Sequence, residues 1–131
     1  MTNKPLPRIT PYLLYEDVAN AAEWLATAFN FRVVHQQVGA DGKVGHCAME
    51  IAPGVEVMMG CPGPAYRNPK HLGHVTQHLY VNIDDVDAHF ERARHAGACI
   101  IETPTDQRYG ERRYAVTDPE GFTWFFAQVI K

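Results

Sequence analysis

A chain of 131 residues that is 46% hydrophobic and 21% charged is long enough to bury one substantial core and too apolar to be disordered, so a single domain over 1–131 is expected. A net charge of −3 argues against nucleic acid as a partner, because a phosphate backbone calls for a concentrated basic face. No stretch has the apolar length of a membrane span or of a signal-peptide core, so a cytoplasmic protein with no membrane partner is expected.

In chain order, LLYEDVANAAEWLATAFNFRVV predicts a strand, an acidic turn at Asp17 that can cap a helix, and a second strand beyond that helix. Ala22, Leu25, Ala26 and Phe29 share one face of the helix. HCAMEIAPGVEVMMG follows as two strands about a Pro53-Gly54 hairpin. In KHLGHVTQH, His71, His74 and His78 would form a ligand face on a helix. Gly73 and the strand-like VTQHLYV predict a loop running into a strand instead. LYVNIDDVDAHFERARHAGACII then repeats the opening pattern, with His89 and His95 expected on the helix surface and Gly97 ending that helix. RYGERRYAVTDPEGFTWFFAQ closes the chain. Its Arg108, Arg112 and Arg113 are expected in a loop before the seventh strand, either solvated or with one arginine at the cleft mouth holding a carboxylate or phosphate, and Asp118, Pro119 and Gly121 form a tight turn into an aromatic strand.

The two halves are copies of one another. Asp17-Val18 has its mate in Asp85-Val86, Gly54 in Gly121, and Met58 in Phe125. Each half reads as a β-α-β-β-β unit, the first over about 8–62 and the second over about 75–129. Cys47, Cys61 and Cys99 are odd in number and lack CxxC spacing, which predicts buried free thiols and neither a disulfide framework nor a zinc knuckle.

The duplication, together with QHLYVNIDDVDAHFERARHAGA and DPEGFTWFF, resembles the vicinal oxygen chelate superfamily, in particular its glyoxalase and bleomycin resistance protein branch. The resemblance covers residues 8 to 129. It implies an α+β fold in which two tandem units form a half-barrel cleft with helices outside, and it implies a homodimer whose cleft is drawn from one chain or from both. In metal-dependent members, inner-face positions on the first and last strands of each unit carry the ligands. Here those positions map to Thr10, Met58, His78 and Phe125, with Glu56 as a substitute for Met58 if the alignment shifts. One imidazole does not hold a catalytic cation, since such sites need about three protein ligands, so no metal and no cofactor are expected.

Strand alternation divides the last strand: Thr123 and Phe125 toward the cleft, Phe122, Trp124 and Phe126 toward the helices. By the same parity the cleft lining comprises Tyr12, Leu14, Met58, His78, Tyr80 and Phe125, while the face of His46 depends on the hairpin register. No Ser/His/Asp or Cys/His arrangement points to covalent catalysis. An aromatic and apolar lining suits a flat or amphipathic small molecule, including an antibiotic, better than acid/base chemistry. A metal-independent binding protein is the first expectation. An enzyme of glyoxalase or dioxygenase type, with atypical ligands or with His78 as a lone base, is the alternative.

Overall fold

The structure is a computed structural model that describes residues 9–130; residue 8, the expected start of the first unit, lies outside the described residues. The first unit comprises β1 (Tyr12–Leu14), α1 (Val18–Phe29), β2 (Arg32–Val38), β3 (Val44–Ala52) and β4 (Val55–Gly60). A linker carrying the one-turn helix α2 (Pro69–Leu72) leads to β5 (His78–Asn82), α3 (Val86–His95), β6 (Cys99–Asp106), β7 (Glu111–Thr117) and β8 (Thr123–Val129). The sheets run β1-β4-β3-β2 and β5-β8-β7-β6, with the first strand of each parallel to the last and the others antiparallel. The β-α-β-β-β duplication is therefore present strand for strand.

Local chemistry explains the shared pattern. Asp17 and Asp85 cap α1 and α3 by accepting from the backbone N–H of Asn20 and Ala88, each at 3.0 Å, which satisfies donors the helix leaves open. Asn30 ends α1 in a left-handed conformation. The two units also share one core. Leu25, Phe29, Met49 and Met59 of the first are buried with Tyr114, Val116, Trp124 and Phe126 of the second. Ring centroids of Phe29 and Phe126 lie 4.7 Å apart, and Arg92 of α3 donates through Nε to the carbonyl of Thr27 at 2.9 Å. The helix-covered sides of both sheets thus contribute to a single core.

Two buried carboxylates join the units. Asp118 accepts from Tyr15 Oη at 2.6 Å and from Trp124 Nε1 at 3.1 Å. Glu120 accepts from the backbone N–H of Glu16 and Asp17 at 2.6 and 2.8 Å and from the amide of Asn68, which holds the linker in place. Gly121 completes the notch: it sits at φ 92°, and a Cβ there would lie 2.7 Å from the backbone nitrogen of Lys70. Only glycine meets both conditions.

Four expectations change. His89 is largely enclosed, not on the surface: its ring lies 4.0 Å from that of Phe126, and Nδ1 is 2.6 Å from Tyr114 Oη. Its position on α3 faces both α1 and the sheet. Of the cysteines only Cys47 is buried, because Cys61 lies in the linker and Cys99 on an edge strand; all three are free. Arg112 and Arg113 belong to β7 and not to a loop, so alternation sends them to opposite faces. His71 lies on α2, where Pro69 starts a single turn that Gly73 stops, and it pairs with Glu16 at 2.9 Å.

Candidate functional site

On the outward face of the first sheet, β1 and β4 pair Tyr12 with Met58 and Leu14 with Gly60. Tyr12 is 50% and Leu14 37% exposed. The Tyr12 ring lies flat across the sheet because Gly60 leaves room; a Cβ at Gly60 would be 2.5 Å from Tyr12 Oη. That hydroxyl lies 3.0 Å from His46 Nδ1, which puts His46 on this face. The His35 ring follows at 5.9 Å. Thr10 precedes β1 and contributes no strand position.

The second sheet repeats the register, pairing Tyr80 with Phe125 and His78 with Thr123. Phe125 stacks with Tyr80 at 5.9 Å and an interplanar angle of 15°, and the His78 ring lies 4.9 Å away. Phe122, Trp124 and Phe126 are buried on the helix side. Over Phe125 sits the guanidinium of Arg113, 4.8 Å from the ring centroid, within cation–π range. Arg113 also reaches Tyr109 Oη at 3.2 Å. Tyr80 donates to Glu111 and lies 3.4 Å from Tyr109 Oη. Burial and then the Glu111 bond push the Tyr80 pKa up, so it acts as a neutral phenol.

The six lining residues therefore fall into two sets. Tyr12, Leu14 and Met58 share one sheet face, and His78, Tyr80 and Phe125 share the other; among the described residues no ring contact links the sets. Arg113, Tyr109 and Glu111 were missing from the sequence-derived lining. Extending the alternation from Phe125 across its partner Ala115 to Arg113 and Glu111 would have found two of them. Arg112 turns to the helix side, held by Asp87 and Asp106 at 3.1 and 2.9 Å, and Arg108 occupies the β6–β7 turn. An apolar cavity of about 340 Å³ adjoins Tyr80, between the β3–β4 hairpin and β5, lined by Ile51, Val55, Glu56, Val57, Leu79 and Tyr80 among others.

The residues do not fit a catalytic metal. Thr10, Met58 and Phe125 offer an alcohol, a thioether and a hydrocarbon ring at three of the four relevant positions. Among the described residues no three His, Cys, Asp or Glu side chains converge on one point.

Residues 6–126 match the family model described as the Glyoxalase/Bleomycin resistance protein/Dioxygenase superfamily. An uncharacterized protein of Mycobacterium bovis is 33% identical over 131 residues, which covers 95% of this chain and 85% of the relative. The putative glyoxylase CFP32 of Mycobacterium tuberculosis is 27% identical over 121 residues, covering 92% of this chain but 38% of that protein. Among solved structures, TioX from Micromonospora sp. ML1 aligns with a TM-score of 0.78 at 33% identity, covering 95% of this chain and 99% of TioX. A glyoxalase-related enzyme from Clostridium phytofermentans shares the fold, with a TM-score of 0.75 at 13% identity over 99% of this chain and 100% of that one.

Proposed function

Because the chain belongs to the glyoxalase/bleomycin resistance protein/dioxygenase superfamily, we propose that it is a member that binds flat aromatic or amphipathic small molecules without a metal. The observation that carries this reading is the ring cluster on the second sheet, where Tyr80, Phe125 and His78 lie side by side, with Arg113 over Phe125. Such surfaces bind by stacking and by releasing poorly held water. The substitution pattern at Thr10, Met58 and Phe125 supports the metal-independent form.

The two outward faces give the binding site a physical reason to be shared. A homodimer would set Tyr12, Leu14 and Met58 of one chain against His78, Tyr80 and Phe125 of the other, closing each cleft and covering half-exposed aromatic surface. Mixing two chains tests this arrangement. Met58→Trp and Phe125→Trp homodimers should each lose binding, while a mixed dimer keeps one unblocked cleft and regains it. The function itself is tested by thermal shift on chelator-treated protein against planar aromatic compounds. Stabilisation grows as RT ln(1 + [L]/Kd), about 2.7 kcal/mol at a hundredfold excess over Kd. No shift with any planar compound would refute the reading.

An enzyme remains the second reading, favoured by the Tyr12–His46 pair at 3.0 Å, which could pass a proton. Turnover of a small carbonyl substrate that is lost in His46→Gln would favour it.

A further inference from the structure

Charge around the stacking surface is unbalanced, and the ligand class that this imbalance selects rests on the binding function proposed for that surface. Arg113 is neutralised by Glu102, whose Oε1 lies 3.1 Å from Nη2 and 3.3 Å from Nε. Glu111 is not. Its partner is the uncharged hydroxyl of Tyr80, and among the described residues no Lys, Arg or His side chain pairs with it. On the first sheet the balance tilts the same way. Glu50 is held by Arg32 at 2.6 Å, whereas Glu56, directly opposite it on β4, meets no cation among the described residues. On the second sheet itself, Glu102 and Glu111 stand beside the rings of Tyr80, Tyr109 and Phe125 against the charge of Arg113.

Each ring presents a negative π face, and an unneutralised carboxylate beside it adds attraction of the same sign. An anionic ligand meets the reverse situation, because Arg113 is already occupied by Glu102 and by the Phe125 ring. The geometry points to planar aromatic cations as the ligand class, with the rings stacking and Glu111 facing the positive charge.

Three tricyclic probes of similar shape separate this from its competitors: 9-aminoacridine, cationic at neutral pH; acridone, neutral; and acridine-9-carboxylate, anionic. Calorimetric titration should give 9-aminoacridine an affinity about tenfold above the other two, an advantage that shrinks with added salt. Glu111→Gln should remove most of that advantage, bringing the ratio of 9-aminoacridine to acridone affinity close to one. Glu102→Gln, which frees Arg113, should raise acridine-9-carboxylate affinity without needing Glu111. If acridone or the carboxylate binds as tightly as the cation, the charge preference is wrong and the stacking reading stands. If none of the three binds, both fall.

Discussion

Arg113 lies over the ring of Phe125, its guanidinium carbon 4.8 Å from the centroid, and Glu102 anchors it there. One side of the aromatic platform is therefore already covered by a planar cation. A ligand must stack against the remaining ring surface, or on the guanidinium plane itself, and swinging Arg113 aside costs it the Glu102 contact.

Neighbours on β8 should separate cleanly on mutation. Phe126 is fully buried, with Phe29, Tyr114 and His89 packed around it, so Phe126→Ala should cost about 3 to 5 kcal/mol in urea unfolding. Phe125 is half-buried on the outward face, and Phe125→Ala should cost no more than about 1.5 kcal/mol while weakening ligand binding. The reverse ranking would mean that the strand faces are misassigned.

The Glu120 carboxylate is the joint between the linker and the start of α1. Its loss leaves the Glu16 and Asp17 N–H groups without their acceptor and the Asn68 amide with only the Leu14 carbonyl. Unpaired buried donors cost about 1 to 3 kcal/mol each. Glu120→Ala should therefore lower stability by about 3 kcal/mol or more, and limited proteolysis should cut first within residues 61–77. Equal protection of that linker in the variant would show that the joint lies elsewhere.

His89 makes stability depend on pH. Burial, opposed by its backbone neighbour Phe29 and reinforced by Arg92, pushes its pKa down from 6.5 to about 4. The unfolded chain then binds the proton that the folded one refuses, so stability falls as pH drops from about 6.5 to about 4, by up to about 3 kcal/mol. Burial holds the Asp118 carboxyl above its usual value, which acts in the opposite direction at the acid end. Comparison with His89→Gln isolates the histidine: the variant should show a flatter pH profile between 4 and 6.5, and an unchanged slope would remove His89 as the cause.

Gly60 is the residue that lets Tyr12 lie against His46. Gly60→Ala should push the phenol off the sheet, which breaks the Tyr12–His46 contact and moves the His46 ring resonances in NMR spectra. Because Tyr12 is half exposed and free to swing, the melting temperature should change by only a few degrees. A normal Tyr12–His46 contact in the variant would contradict the role given to Gly60.

Much of the fold was legible because duplication doubles every local signal: Asp17 and Asp85 as caps, Gly54 and Gly121 as turns, Met58 and Phe125 as mates. Strand parity likewise gave the correct sides for Trp124, Phe125 and Phe126. What stayed hidden depends on packing between the halves. Nothing local marks His89 as enclosed, since it takes Phe29 from another unit to cover it. Nor does RYGERRYAV reveal that β7 begins at Glu111, so Arg113 looked like a loop residue when it caps a ring. The division of the six lining residues between two faces follows from the shared core, which is a tertiary property.

Binding by metal-stripped protein tests the central claim most directly. Wild type treated with chelator and titrated calorimetrically with 9-aminoacridine should bind saturably, with no change on adding zinc, and Phe125→Ala should weaken that binding about tenfold, in line with about 1 to 1.5 kcal/mol for an aromatic contact. Binding that appears only when a metal salt is restored, or that is indifferent to Phe125, would contradict it.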